Sequence, residues 1–425
     1  MRGVLVAVLL GSIGLSASRA AAQDDRAPRT TVRVSGFAHV DWTVYRQSSR
    51  DALGPDRQPL NDERFLIRRA RIRAEGDQGL FHGVFEVDGN TVAGPQVRPF
   101  LAEATLKWPA ARPYARTPWA HDPSGGATTR ISGAPWFMVT AGLFRTPFGF
   151  EVPEAERDRP LLERTTVSNA LFPQSIDLGL RVLGGFRFLR WTLGIMNGDP
   201  LGERTFPGRD PNRSKDLVFR IGAAGEVLPG VVLSGGVSGL TGRGFHEGRA
   251  ATTDGVTWRD ANDNGVIDGI AELEPVPGVA AGAPSSFKRR ALGADLRASI
   301  TIPTLGELHL RGEVTRAANL DRGLLASDPV AAGRDQDQIG WYAGASQELT
   351  RWALVAVRYD RYDPDDGAPR DLTSSNLAFA AVGRFGPGRL SGQLDHRPHV
   401  LGRDASGQLT TIADDTFTVR FEARF

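Results

Sequence analysis

The sequence predicts an all-β fold: a single 16-stranded antiparallel transmembrane β-barrel. Three observations carry this expectation. Segments of about ten to fourteen residues alternate apolar and polar side chains with a period of two. The connections between them alternate short and long. Past the N-terminal segment, no window offers the ~18–20 continuous apolar residues of a spanning helix.

The chain has 425 residues, enough for one large domain. Residues 1–22 read as a signal peptide. Arg2 supplies the positive start, GVLVAVLLGSIGLSA the apolar run, and Ala20, Ala21 and Ala22 the small-residue cleavage site. Residues 23–425 are then the barrel, exported to the cell outer membrane of a Gram-negative-type bacterium. Removing 1–22 takes the formal charge from +2 to about 0, which leaves no broad basic footprint for nucleic acid. There is no cysteine, so no disulfide framework holds the exported chain. Only three of the 51 cationic residues are lysine: Lys107, Lys215 and Lys288.

The clearest strand comes first. Val32, Val34, Ala38, Val40, Trp42 and Val44 take one parity, while Arg33, Ser35, His39, Asp41 and Thr43 take the other. The last segment repeats this: Phe417, Val419, Phe421, Ala423 and Phe425 alternate with Thr416, Thr418, Arg420, Glu422 and Arg424. A closing Phe resembles the C-terminal signal that outer-membrane barrels present for assembly. Between these ends the sixteen expected strands are 32–45, 64–75, 80–90, 98–108, 136–146, 177–185, 188–198, 215–227, 230–241, 289–302, 306–317, 337–348, 351–362, 372–384, 389–397 and 414–425. Short turns fall at 76–79, 186–187, 228–230, 303–307, 349–351 and 385–388. Long polar connections fall at 46–63, 147–176, 199–214, 242–288, 318–336 and 398–413. One connection, 109–134, is long where a turn is due: either it carries an insertion or the strand count slips there.

The stretch FLIRRARIRAEG holds the candidate chemistry. Arg69, Arg71 and Arg73 share one face with Glu75, opposite Leu66, Ala70, Ile72 and Ala74. With the aliphatic face toward lipid, the arginines face the lumen and Arg68 is left on the lipid side, near the outer rim. The same parity argument turns Arg220, Arg297, Arg311 and Arg358 inward, along with Glu86, Asp88, Asp295 and Glu313. Two readings stay open. Paired Arg and Asp/Glu are ordinary barrel interior; an unbalanced arginine row passes anions along fixed guanidinium sites.

The 242–288 connection carries DANDNGVIDGIAE, whose spacing is that of a calcium loop. Asp260, Asn262, Asn264, Gly265 and Asp268 occupy positions 1, 3, 5, 6 and 9, and Val266 stands at 7 where a backbone carbonyl serves. Position 12 is Ala271, with Glu272 one residue late, so an ordinary Asp/Asn/Gly turn is the alternative. Calcium here would stiffen an outer loop. No other cofactor is implied. With no cysteine nucleophile, no HExxH and no Walker loop, and with isolated histidines, the chain does not read as an enzyme.

RFLIRRARIRAEG, AGLFRTPFGFE (141–151), LFPQSIDLGLRVLGG (171–185), GIMNGD (194–199) and RYDRYDPDD (358–366) are similar to the phosphate-selective porin O/P family. The resemblance spans most of the chain and is strongest over 64–200. It implies a sixteen-stranded outer-membrane barrel, usually a homotrimer, that conducts small anions, phosphate in the best-known members. It places Arg69, Arg71 and Arg73 on the inner wall and folds 152–173 inward. Arg157, Arg159 and Arg164 then face the constriction with Glu154, Glu156 and Glu163. The lysine clusters of the phosphate-selective members are absent, which leaves phosphate itself open. The expected function is passive diffusion of small hydrophilic solutes with an anion preference, in contact with outer-membrane lipid and lipopolysaccharide. The alternatives are a general or weakly cation-tolerant porin, and a non-conducting barrel with an adhesive or enzymatic role.

Overall fold

The structure is a computed structural model that describes residues 30–45, 53–54, 63–110, 112, 114, 135–198, 210–260, 264–404 and 408–425. The expected signal segment 1–22 lies outside the described residues. Sixteen strands form the wall: β1 (Thr31–Tyr45), β2 (Glu63–Gln78), β3 (Phe81–Asn90), β4 (Gln96–Trp108), β5 (Trp136–Arg145), β6 (Ile176–Phe186), β7 (Leu189–Met196), β8 (Asp216–Leu228), β9 (Val231–His246), β12 (Ser285–Ile302), β13 (Gly306–Ala318), β14 (Asp337–Thr350), β15 (Ala353–Asp363), β16 (Ser374–Phe385), β17 (Gly388–Arg403) and β19 (Thr416–Arg424). Each pairs antiparallel with its neighbours, and β1 pairs with both β2 and β19, so the sheet closes without an edge. Three short strands stand outside the wall. β10 (Gly255–Trp258) and β11 (Leu273–Val276) make a hairpin in the longest connection, and β18 (Leu409–Ile412) extends β17. Every expected strand is present.

Closure is what lets this composition sit in a bilayer, since each wall N–H and C=O finds its partner within the sheet. Period-two alternation then sorts the side chains. Ile72, Phe85, Leu180, Leu193, Phe219, Leu296, Leu310, Val357, Phe379 and Phe421 are exposed on the outside around the full circumference. Aromatic side chains collect at both rims. At one end Trp341 lies tilted against Tyr359 (5.4 Å) and Trp42 stacks on Phe65 (6.3 Å); at the other, Trp108 stacks on Phe137 (5.6 Å). Such girdles mark the two interfaces of a membrane-spanning barrel.

The 109–134 question resolves in favour of an insertion: β4 pairs directly with β5 from Ala102 opposite Leu143 to Trp108 opposite Phe137. Most of the insertion lies outside the described residues. Its start turns back into the barrel mouth, where Tyr114 stacks on His82 at 3.9 Å and Arg112 lies 4.5 Å over Trp136.

One expectation is corrected. Arg68 and Leu66 were placed on the lipid side by strict alternation, but β2 carries a bulge at Arg68. Register passes from His39 opposite Arg69 to Val40 opposite Ile67, leaving Arg68 as the extra residue. One inserted residue reverses parity above it. Phe65 and Ile67 therefore face outward, while Leu66 is buried inside and Arg68 turns into the lumen.

Candidate functional site

The connection from β5 to β6 does not stay at the rim but descends into the lumen. Of 151–171, only Asp158 and Asn169 are exposed. Two features start the descent. Gly142 sits at φ +128°, where an added Cβ would lie 2.0 Å from the Ala102 carbonyl oxygen, and beyond it Leu143, Phe144 and Arg145 are all buried. Gly149, at φ +64°, then donates its N–H to Ser238 Oγ at 3.0 Å.

The loop crosses the lumen from wall to wall. On the β13 side, the Glu313 carboxylate accepts from the backbone N–H of Phe150 and of Glu151 (3.1 Å), and Arg311 donates to Glu154 (3.2 Å). On the β2–β5 side, Glu156 receives Arg71 and Arg145, each at 2.6 Å. Near the turn end, Arg389 donates to the carbonyls of Arg159 (2.8 Å) and Pro160 (3.1 Å). Returning, Glu163 accepts from Arg68 (3.1 Å), Arg69 (2.9 Å) and Arg420 (2.8 Å). A short helix, α1 (Thr166–Leu171), closes the excursion. The buried Glu151 carboxylate accepts from Thr165 N–H (3.1 Å) and the hydroxyls of Thr165 and Ser168 (2.5 Å each), and Thr166 Oγ1 donates to Asp360 at 2.7 Å.

Above this polar layer lies an apolar one. Val167, Ala170 and Leu171 of α1 pack with Phe148 and Phe172 against Val218, Leu240, Ala291 and Ala317 of the wall and Leu320 of the next loop. These wall residues share lumen parity with the arginines. Val218 between Asp216 and Arg220 was the visible signal that this stretch of the interior is dry.

The predicted cations all point inward, and most meet a carboxylate. Arg71 contacts Asp88 (3.0 Å), Arg73 contacts Glu75 (2.9 Å) and Glu86 (3.2 Å), Arg220 is bidentate on Asp295, and Arg358 reaches Asp360 (3.3 Å) and Glu151 (3.5 Å). Arg297 is different: its guanidinium lies 4.7 Å over the Phe150 ring. Of the loop cations, Arg157 is partly exposed, Arg159 is buried and holds the Glu154 carbonyl (2.6 Å), and Arg164 is spent on the carbonyls of Phe172 and Pro173 (2.9 Å each) at the end of α1. Parity could not reveal Arg145, Arg389, Asp41 or Arg420 as anchors. Arg420 is bidentate on Asp41 (2.6 and 2.7 Å), across the seam where the last strand meets the first. Phe100, swung inward by a bulge in β4, lies 3.5 Å under Arg71 and 4.9 Å under Arg145.

Burial alone would raise the loop carboxyls. At Glu156, the guanidiniums of Arg145 and Arg71 overcome burial and hold it well below the usual carboxylate range; at Glu163, Arg68 and Arg69 do the same. Both therefore stay ionised as fixed anchors.

Two spaces flank the loop. One, toward β13–β15, sets Arg159, Arg311 and Arg358 against Glu151, Glu154 and Glu163. The other, toward β1–β5, is lined by Arg71, Arg73, Arg145 and Arg157 with Glu86 and Glu156. In the second, Arg71 and Arg73 are also paired, outside the lining, with Asp88 (3.0 Å) and Glu75 (2.9 Å).

The predicted calcium loop spans the β10–β11 hairpin. Asp260 accepts from the N–H of Asn264 (3.1 Å) and Gly265 (2.6 Å), Asn264 from Val266 N–H (2.8 Å), and Glu272 from Asp268 N–H (2.9 Å). Asn262 lies outside the described residues. Among the described residues no three His, Asp or Glu side chains converge as a metal site.

No protein-family model matches the chain, and no curated protein does. Solved structures do resemble it. The outer membrane channel DcaP of Acinetobacter baumannii is 10% identical over 93% of this chain and 97% of its own, with a TM-score of 0.57. An anion-selective porin from Comamonas acidovorans is 10% identical over 93% and 100%, at 0.52. OmpF of Salmonella typhi, in complex with daunomycin, is 12% identical over 93% and 97%, at 0.51. At these identities the likeness is one of fold.

Proposed function

We propose that the chain is an outer-membrane porin that passes small hydrophilic solutes with a preference for anions. The observation that supports this most directly is the arginine-lined space between the loop and β1–β5. Four guanidiniums and two carboxylates line it, while Asp88 and Glu75, the partners of Arg71 and Arg73, are set back from the lining, so a passing anion meets guanidinium N–H donors ahead of their counter-charges. Arg71, Arg73 and Arg157 are the cations of that path, whereas Arg69, Arg311 and Arg358 serve chiefly to seat the loop and Arg220 pairs with Asp295 of the wall. Selectivity is then set by the difference between wall cations and loop carboxylates. A site balanced this way binds anions weakly, as conduction requires. Phosphate is one candidate solute among small anions.

The proposal includes a homotrimer. Its support is a flat outward patch in which Ala141, Ala104, Gly83 and Gly76 lie in one cross-strand row and Gly89, Ala70, Ala38 and Ala423 in another. It also includes a calcium ion stiffening the 260–272 loop, for which Asp260 and Asp268 would turn from the loop's own N–H and amide donors to the cation. No catalytic role is proposed.

A second reading, a closed barrel, is favoured by the burial of the loop on both sides. Reversal potentials in planar bilayers under a potassium chloride gradient separate the two. Anion-selective current that weakens in Arg71→Ala and in the more exposed Arg157→Gln supports the porin. Unselective current in all three removes the anion preference, and no current from folded protein leaves the closed barrel.

A further inference from the structure

The outer face of β9, β12 and β13 breaks the apolar pattern at one height. Arg243, Lys288, Arg290 and Arg316 are all exposed and all take outward parity. Lys288 stands directly opposite Arg243, Arg290 opposite Thr241 and Ala318, and Arg316 opposite Leu292. Like charges directly opposite on one sheet face repel. Among the described residues none of the four side chains has a carboxylate or other partner. Asp337, on the same face opposite Ala318, lies beside Arg334, and Lys215 at the foot of the neighbouring strand is paired with Asp210.

The cluster sits at the end of the barrel that bears the long connections. Below it runs the aliphatic belt: Leu292, Leu296, Val314 and Leu310 are exposed there. A surface with unpaired cations at the rim and apolar side chains beneath matches an amphiphile with an anionic head. Two strand spacings carry the cluster over roughly 10 Å, wide enough for a head bearing more than one phosphate. Arginine meets phosphate oxygens with its planar fork, and such contacts are strong at a membrane interface.

We propose that Arg243, Lys288, Arg290 and Arg316 form a binding site for a phosphorylated glycolipid of the outer leaflet, its phosphates among the cations and its acyl chains along Leu292, Leu296 and Val314. The proposal rests on the outer-membrane placement given above, not on conduction. The site lies on the opposite arc from the small-residue patch, so bound lipid would coat the assembly's periphery.

The test titrates full-length protein in neutral detergent with diphosphoryl lipid A, monophosphoryl lipid A and inorganic phosphate, reading bound adducts by native mass spectrometry. Near an interface each cation contributes roughly fivefold in affinity. Lys288→Gln with Arg290→Gln should therefore weaken diphosphoryl lipid A roughly thirtyfold, while Lys288→Arg with Arg290→Lys should retain it. Unchanged binding in the neutral pair overturns the proposal. So does saturation of the site by inorganic phosphate with no preference for the lipid, which would make it a free-anion site. If the neutral pair fails to fold, Arg316→Gln alone should still lose roughly fivefold, and its failure to do so has the same consequence. Absence of current in bilayers, with lipid binding intact, would count against the porin and leave this site standing.

Discussion

Glu156→Gln tests how the loop is held. The carboxylate takes Arg71 and Arg145 at 2.6 Å each, and all three side chains are buried. After the change Arg71 keeps Asp88 at 3.0 Å, but Arg145 is left with no carboxylate in contact, only the Glu154 carbonyl at 3.4 Å and the Phe100 ring at 4.9 Å. Breaking a buried pair by removing one partner costs ~3–5 kcal/mol. Because Arg71 stays paired and glutamine still offers a carbonyl, about 3 kcal/mol is expected, roughly 150-fold in the equilibrium that seats the loop. The chain has no cysteine, so Leu161→Cys supplies a single thiol on the buried side of the loop. Its labelling by a charged thiol reagent should rise by two orders of magnitude in the Glu156→Gln background. The arginine-lined space simultaneously loses one of the two carboxylates in its lining, so the reversal potential should move toward anions. Labelling within twofold of the parent, together with an unmoved reversal potential, would refute both the seat and the path.

Acid should act late. Glu156 and Glu163 have depressed folded-state values, so their stabilisation is complete above the ordinary carboxylate range near 4.5 and is lost only as pH falls through values well below it. Single-channel conductance should thus hold from pH 7 to pH 5, and a loop that opens between those values would contradict the assignment. Gly142→Ala forces a Cβ to within 2.0 Å of the Ala102 carbonyl and a strained φ costing ~1–3 kcal/mol, so the folded, heat-modifiable gel species should fall sharply. Gly392→Ala, with nothing within 4 Å, should not change it. Millimolar calcium should raise the melting temperature of the parent and not of Asp260→Ala; equal melting with and without calcium in the parent removes the ion from the loop.

Much of the fold was legible because barrel strands are written locally. Parity depends only on neighbouring residues, so the sixteen strands, their closure and the inward direction of Arg69, Arg71, Arg73, Arg220, Arg297, Arg311 and Arg358 could be read from alternation. The same locality explains the miss at Arg68 and Leu66: a single bulged residue resets parity without altering composition. The side chain of Val218, sharing its face with Arg220, hinted at the dry layer, but what it packs against lies in α1 and in a different loop.

The sequence by itself determined which side chains face the lumen wherever no bulge resets the alternation. Only the tertiary structure decided what they do there, because Arg69 and Arg71 meet Glu163 and Glu156 of a loop far along the chain. A guanidinium facing water and one facing Glu156 or Glu163 have the same place in the strand pattern. What separates them is the depth to which 146–175 descends, and that is set by Gly142, by α1 on its apolar seat, and by an ion-pair seam joining Arg420 to Asp41 across the ends of the chain.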